Sequence, residues 1–306
     1  MAWRRPLLIA ATAAMVCGAA LPVLAQTSLW PAPGPPVPHR AVHPAVSPPS
    51  SALPGTYMST SQLTALQLAA CERRLERARQ ADGRHVPTVA IVGASITAGV
   101  GPGQPDGSWA ALLARQFGWD AVVYGDPGAG YVRPGVHRRG PVAREIAQIG
   151  LPGLDPELVI VQAGHNDMGV PADLEQQRVK QAIAQIRAAA PRAGIALITV
   201  FAGRLRRPAA YQTDHSIVQA ALAADPAVII MDPLAAGWKY QRVRDGLHPT
   251  AAGSAWIAGQ VARILQAHGV RPAPAPPGGG AAPRNSIICD FGIQAAPPTQ
   301  APPVLR

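Results

Sequence analysis

In VAIVGASITAGVGPG (Val89–Gly103) an apolar run breaks into small residues, with Ser95 at the break. A serine hydroxyl attacks poorly unless a neighbouring base takes its proton. RDGLHPT (Arg244–Thr250) offers a candidate base. Asp245 and His248 stand three residues apart, close enough on one turn for the carboxylate to hold the imidazole by Nδ1–H and leave the other ring nitrogen to Ser95. Pro249 fixes the backbone behind the histidine, and Thr250 suits the cap of a final helix. D-x-x-H is a common spacing, and the competing reading is a turn-capping aspartate beside an ordinary surface histidine. Eight histidines offer rivals, His165 and His215 among them.

The glycine-rich stretch fits other chemistries less well. A dinucleotide fingerprint counted from Gly99 meets Gln104 where its last glycine belongs, and no lysine completes a phosphate loop. In the G-x-S-x-G elbow, Thr97 stands in the final glycine position. A strand-to-helix turn carrying Ser95 remains. An acyl-transfer serine also needs donors for the oxyanion, each worth about 3 kcal/mol. YGDPGAGYV (Tyr124–Val132) brings backbone N–H groups close at Gly128, with Gly130 as a rival, and QAGHNDMG (Gln162–Gly169) supplies the Asn166 amide. Singly these are weak signals, since glycine loops are turns and Asn-Asp is a common loop pair.

The elements that must position these residues alternate. Leu68, Cys71, Leu75 and Ala78 recur at helical spacing after a Ser59–Gln62 capping box. Five short, continuous apolar runs follow: Thr88–Val92, Ala121–Tyr124, Leu158–Gln162, Ile195–Phe201 and Val228–Met231. Continuous runs of this kind mark strands buried on both faces of a parallel sheet. Helical patterns near residues 108–117, 141–149, 172–190, 209–224 and 251–268 fill the gaps. The expectation is an α/β fold: a doubly wound, flavodoxin-like, five-stranded parallel sheet in a three-layer α/β/α sandwich. Sites in such sheets form outside the carboxyl ends of the strands. That gathers Ser95, Gly128, Asn166, the 203–208 loop, Asp245 and His248 on one side.

Taken together, Gly93–Thr97, Gly125–Gly130, Gly164–Asp167 and Asp245–His248 resemble the four blocks of the SGNH hydrolase (GDSL-like esterase/lipase) superfamily. The resemblance covers residues 85–270. It implies Ser95 as nucleophile and, through its N–H, as oxyanion donor with Gly128 and Asn166. It implies His248 as general base oriented by Asp245. Ala94 stands where the G-D-S signature has Asp, and Pro127 precedes Gly128 where a small polar residue is usual. The superfamily acts on acyl esters and thioesters of lipids, acetylated sugars and small alcohols, and some members transfer the acyl group. The expected activity is that of a serine esterase on short acyl groups of a small molecule, sugar or cell-wall polymer, because no long apolar lid is evident. The alternatives are an acyltransferase using the same site and an inactive wall-binding module. No cofactor or metal is implied: Asp214 and His215 lack further ligands at suitable spacing.

The ends of the chain have a different character. Residues 1–25 join Arg4 and Arg5 to an apolar stretch and a small-residue site near Ala25, the pattern of a cleaved signal peptide. Export and secretion follow, with no stable membrane span after cleavage; an uncleaved anchor is the competing reading. Residues 26–57 read as a Pro-rich linker, 58–270 as the esterase domain with an N-terminal helix, and 271–306 as a Pro/Gly-rich tail. Cleavage would lower the net charge from +10 to +8 and leave Cys71 and Cys289. Disulfides persist outside the cell, so a Cys71–Cys289 bridge tying the tail to the first helix is expected. The alternative is a buried Cys71 and an unpaired tail thiol. The basic excess is nearly all arginine. Arg133, Arg138, Arg139, Arg204, Arg206, Arg207, Arg242 and Arg244 would make a basic rim for an anionic substrate, or simply reflect an Arg-rich chain. No nucleic-acid motif is present, and a monomer is expected.

Overall fold

The computed structural model describes residues 60–82, 85–103, 105–201, 203, 208–274 and 286–291. All lie within one compact unit, Thr56–Arg306. The expected signal peptide (1–25), the linker (26–57), Ser59 of the capping box, Arg204, Arg206, Arg207 and most of the Pro/Gly-rich tail fall outside these residues.

Seven helices and six strands are described. The strands are β1 (Thr88–Gly93), β2 (Asp120–Gly125), β3 (Leu158–Gln162), β4 (Gly194–Ile198), β5 (Ile229–Met231) and β6 (Ile288–Asp290). The helices are α1 (Thr60–Asp82), α2 (Trp109–Phe117), α3 (Val142–Gln148), α4 (Leu151–Leu154), α5 (Ala172–Ala189), α6 (Pro208–Ala224) and α7 (Ala251–Ala267). All strand pairs are parallel, in the order β5-β4-β3-β1-β2-β6. The first five reproduce the expected doubly wound sheet. It has six strands rather than five, because the tail returns and lays Ile288–Asp290 beside Ala121–Val123 of β2.

The continuous apolar runs divide between two cores with a period of two. Ala90, Val92, Val122, Tyr124, Val159 and Val161 face a layer that includes α1, α3, α4, α5 and α6. Val89, Ile91, Ala121, Val123, Leu158 and Ile160 face α2 and α7. Burial on both sides removes any need for polar residues in these strands, which is why they do not alternate in sequence.

The tail is fastened at several points. Cys71 on α1 and Cys289 on β6 form a disulfide with Cα atoms 6.0 Å apart. The Ile287 N–H donates to Asp120 Oδ1 at 2.9 Å, and the Phe291 N–H to Val123 O at 2.8 Å. Closing so long a loop by a disulfide contributes about 2–4 kcal/mol. No helix among the described residues is long and apolar enough to cross a membrane.

Candidate active site

β1 ends at Gly93, and the chain turns where it meets β3. There is no room for a side chain at Gly93: a Cβ would stand 2.5 Å from Thr97 Oγ1 and 2.8 Å from Gln162 O. Thr97, fully buried, donates from Oγ1 to Gln162 Oε1 at 2.9 Å and so ties the turn to the end of β3. This explains a threonine where the hydrolase elbow has glycine. Ser95 is 9% exposed. The helix expected near residues 108–117 forms as α2, and a run of turns separates it from Ser95. Gly99, Gly101 and Gly103 all have positive φ, so residues 94–103 form successive turns and α2 begins at Trp109, capped by Ser108.

His248 Nε2 lies 2.8 Å from Ser95 Oγ, across 153 residues of sequence. Its Nδ1 lies 2.6 Å from Asp245 Oδ2. The other oxygen of Asp245 accepts the Leu247 and His248 N–H groups at 2.8 and 2.9 Å. Slight burial raises the Asp245 carboxyl, but the His248 ring and these two backbone donors outweigh it and bring it down to about 2. Thr250 caps α7 as expected, accepting from the Gly253 N–H. The rival histidines stand elsewhere: His165 Nδ1 faces Phe201 O at 3.0 Å, and His215 is exposed on α6.

The 240–248 segment rests on aromatic side chains. The Tyr240 hydroxyl donates to Leu247 O at 2.7 Å, and the Tyr240 ring packs edge-on against Phe201. Arg242 lies over the Tyr240 ring at 4.4 Å. Burial, opposed by Arg242, pushes the Tyr240 phenol up.

The donor side is built around two carboxylates that sequence reasoning passed over, Asp126 and Asp167, both fully buried. Asp126 accepts the His137 N–H at 3.1 Å and the Arg139 N–H at 3.0 Å. Asp167 accepts the N–H groups of Tyr131, Val132 and Arg133 at 2.6, 3.2 and 3.0 Å. Burial drives its carboxyl upward against these donors. Asn166 sits beside it on a short 3-10 turn, and its Nδ2 donates to Ala129 O at 2.7 Å. Hydrogen bonding separates Gly128 from its rival Gly130. The Gly130 N–H donates to Arg133 O at 3.0 Å, whereas the Gly128 N–H has no partner among the described residues.

The expected basic rim is reduced. Arg139 donates to Phe291 O and lies over the Tyr124 ring, so with Arg242 it serves the fold. Arg133, Arg138 and Arg244 are exposed.

With the geometry in place, comparison with known proteins decides the family. The model of the GDSL-like lipase/acylhydrolase family matches residues 91–256, from β1 into α7. The chain belongs to that family. This GDSL-like protein is accordingly a serine hydrolase acting on ester bonds. No curated protein matches it. Among solved structures it is similar to a family two carbohydrate esterase from Clostridium thermocellum in complex with cellohexaose. That match has a TM-score of 0.50 and 17% identity, over 60% of this chain and 65% of that one. It is also similar to a carbohydrate acetylesterase from Sinorhizobium meliloti, with a TM-score of 0.48 and 15% identity over 60% and 99% of the chains. A G-D-S-L family lipolytic protein from Desulfitobacterium hafniense gives a TM-score of 0.45 and 18% identity over 58% and 99%. At 17% identity the likeness to the Clostridium thermocellum esterase is one of fold.

Proposed function

We propose that the GDSL-like protein is an exported esterase that removes short acyl groups from a small molecule, sugar or cell-wall polymer through an acyl-enzyme on Ser95. The observation that carries this reading is the chain of contacts from Ser95 Oγ to His248 Nε2, 2.8 Å, and from His248 Nδ1 to Asp245, 2.6 Å. As Ser95 Oγ bonds to the acyl carbon, its proton passes to Nε2 and the carbonyl π electrons move onto oxygen. The Ser95 N–H, the Gly128 N–H and the second N–H of the Asn166 amide stabilise that oxyanion. Collapse expels the alcohol, which takes the proton from Nε2. Water then attacks the acyl-enzyme with the same imidazole as base.

Export is supported by the signal-like residues 1–25 and by the Cys71–Cys289 disulfide, which suits an oxidising compartment. A glycan ester is supported by the cellohexaose-bound carbohydrate esterase of similar fold. Exposed Arg133, Arg138 and Arg244 favour an anionic one.

The test is turnover of p-nitrophenyl esters from acetyl to palmitoyl, with Ser95→Ala as control. Steady release dependent on Ser95 and fastest for short chains is expected. A burst that stalls until an alcohol is added would mark a transferase, and no Ser95-dependent release would mark a binding module.

A further inference from the structure

We infer that Asp167 is the positioning residue of the oxyanion site, the group that sets where the Gly128 N–H and the Asn166 amide stand. The inference rests on the esterase reading above and extends it beyond the triad.

Asp167 is 0% exposed, and both its oxygens are in use. Oδ2 accepts from Tyr131 N–H at 2.6 Å; Oδ1 accepts from Val132 and Arg133 at 3.2 and 3.0 Å. The backbone meets the carboxylate so closely at Gly130 that a Cβ there would stand 2.2 Å from Oδ2. That close approach, rather than oxyanion donation, is the reason for glycine at 130. The neighbouring positions are also held. Ala129 O takes the Asn166 amide at 2.7 Å, the Ala129 N–H goes to Asp126 O at 3.0 Å, and the Gly130 N–H closes on Arg133 O. Residues 129–133 are thus hydrogen-bonded at every position, and Gly128, one peptide before them, keeps its N–H unspent. A shift of this segment would move the Gly128 donor and, through Ala129 O, the Asn166 amide.

The site requires a carboxylate. Three donors converge on two oxygens, and an amide would turn an NH2 group towards at least one of them. A carboxylate out of water is costly unless such donors compensate it. Donors aimed at an oxyanion act on charge that appears only in the transition state, so displacing them should lower kcat and leave KM nearly unchanged.

The experiment compares Asp167→Asn with wild type on p-nitrophenyl acetate, with phenylboronic acid as tetrahedral probe, Ser95→Ala as control and circular dichroism to confirm folding. The expected result is a kcat loss on the order of 10–100-fold with KM within about twofold and boronate binding weakened in parallel. Wild-type kcat in folded D167N, or a loss confined to KM, overturns the inference while the esterase reading stands. Turnover retained in S95A overturns the esterase reading itself. Gly130→Ala presses the same segment away from an intact carboxylate, so it should reproduce the kcat loss and decides the matter if D167N does not fold. Failure of both to fold also overturns the inference, since the contact would then serve the fold alone.

Discussion

The two halves of the site are held in opposite ways. The donor half hangs from two buried carboxylates that gather backbone N–H groups from loop residues distant in sequence. The base half is local and wet. The Asp245 side chain is 47% exposed, and its bonds run to Leu247 and His248, its near neighbours in sequence. The difference follows from the tasks. Oxyanion donors must not reorganise when charge appears. A base that exchanges protons with an alcohol and then with water can stand at the surface, provided its ring is aimed.

Breaking the aim on the wet side gives the largest of the effects that test this contrast. Asp245→Asn should lower kcat on the order of 10³-fold, by favouring the wrong tautomer. Because Asp245 sits near pH 2, wild type should show no acid transition from this group above about pH 3 in a pH–rate profile. A D245N loss of only a few-fold would mean that solvent orients the ring.

Tyr240→Phe removes the hydroxyl under Leu247 O and should cost about 1 kcal/mol of stability and a few-fold in kcat, read by thermal melts and steady-state rates. A loss as large as that of D245N would show the base half to be clamped from beneath.

The buried half should show in stability against pH. Burial, followed by Asp167 and Asp214, lifts Glu175 from 4.5 to about 8. Between those values the folded chain keeps a proton that the unfolded chain has released. Stability should therefore fall as pH rises through that window, by up to about 1.4 kcal/mol per unit. Glu175→Gln should flatten the decline in Tm between about pH 5 and pH 8. An unchanged slope would assign the pH dependence to other groups.

The smallest effect on rate should come from the tail. Cys71→Ser with Cys289→Ser should cost about 2–4 kcal/mol in denaturant unfolding and leave kcat within about twofold at temperatures where the fold persists. A larger rate loss would show that β6, through Phe291 O and Arg139, supports the donor loop.

Most of this architecture was legible in the chain. Runs such as Leu158–Gln162 are apolar on both faces, so their period and burial coincide, and the glycines that end them mark the turns. Ser95, Asn166, Asp245 and His248 could be singled out as candidates because chemistry restricts the residue types that can serve. Asp126 and Asp167 could not. Apart from the His137 ring beside Asp126, their partners are backbone N–H groups, which every non-proline residue carries, so side-chain patterns scarcely announce them. The sixth strand was hidden for a related reason: the bridge to Cys289 was expected, but the pairing of Ile288–Asp290 with β2 runs through backbone groups and the Asp120 carboxylate.

The residue types alone thus determined a layered α/β domain and its candidate reactive groups, because hydrophobic periodicity and the scarcity of nucleophile–base pairs are properties of the linear chain. Only the tertiary structure decided which glycine keeps a free donor, which arginines serve the fold and which carboxylates hold the loop. Those outcomes depend on which backbone groups from distant segments meet in space.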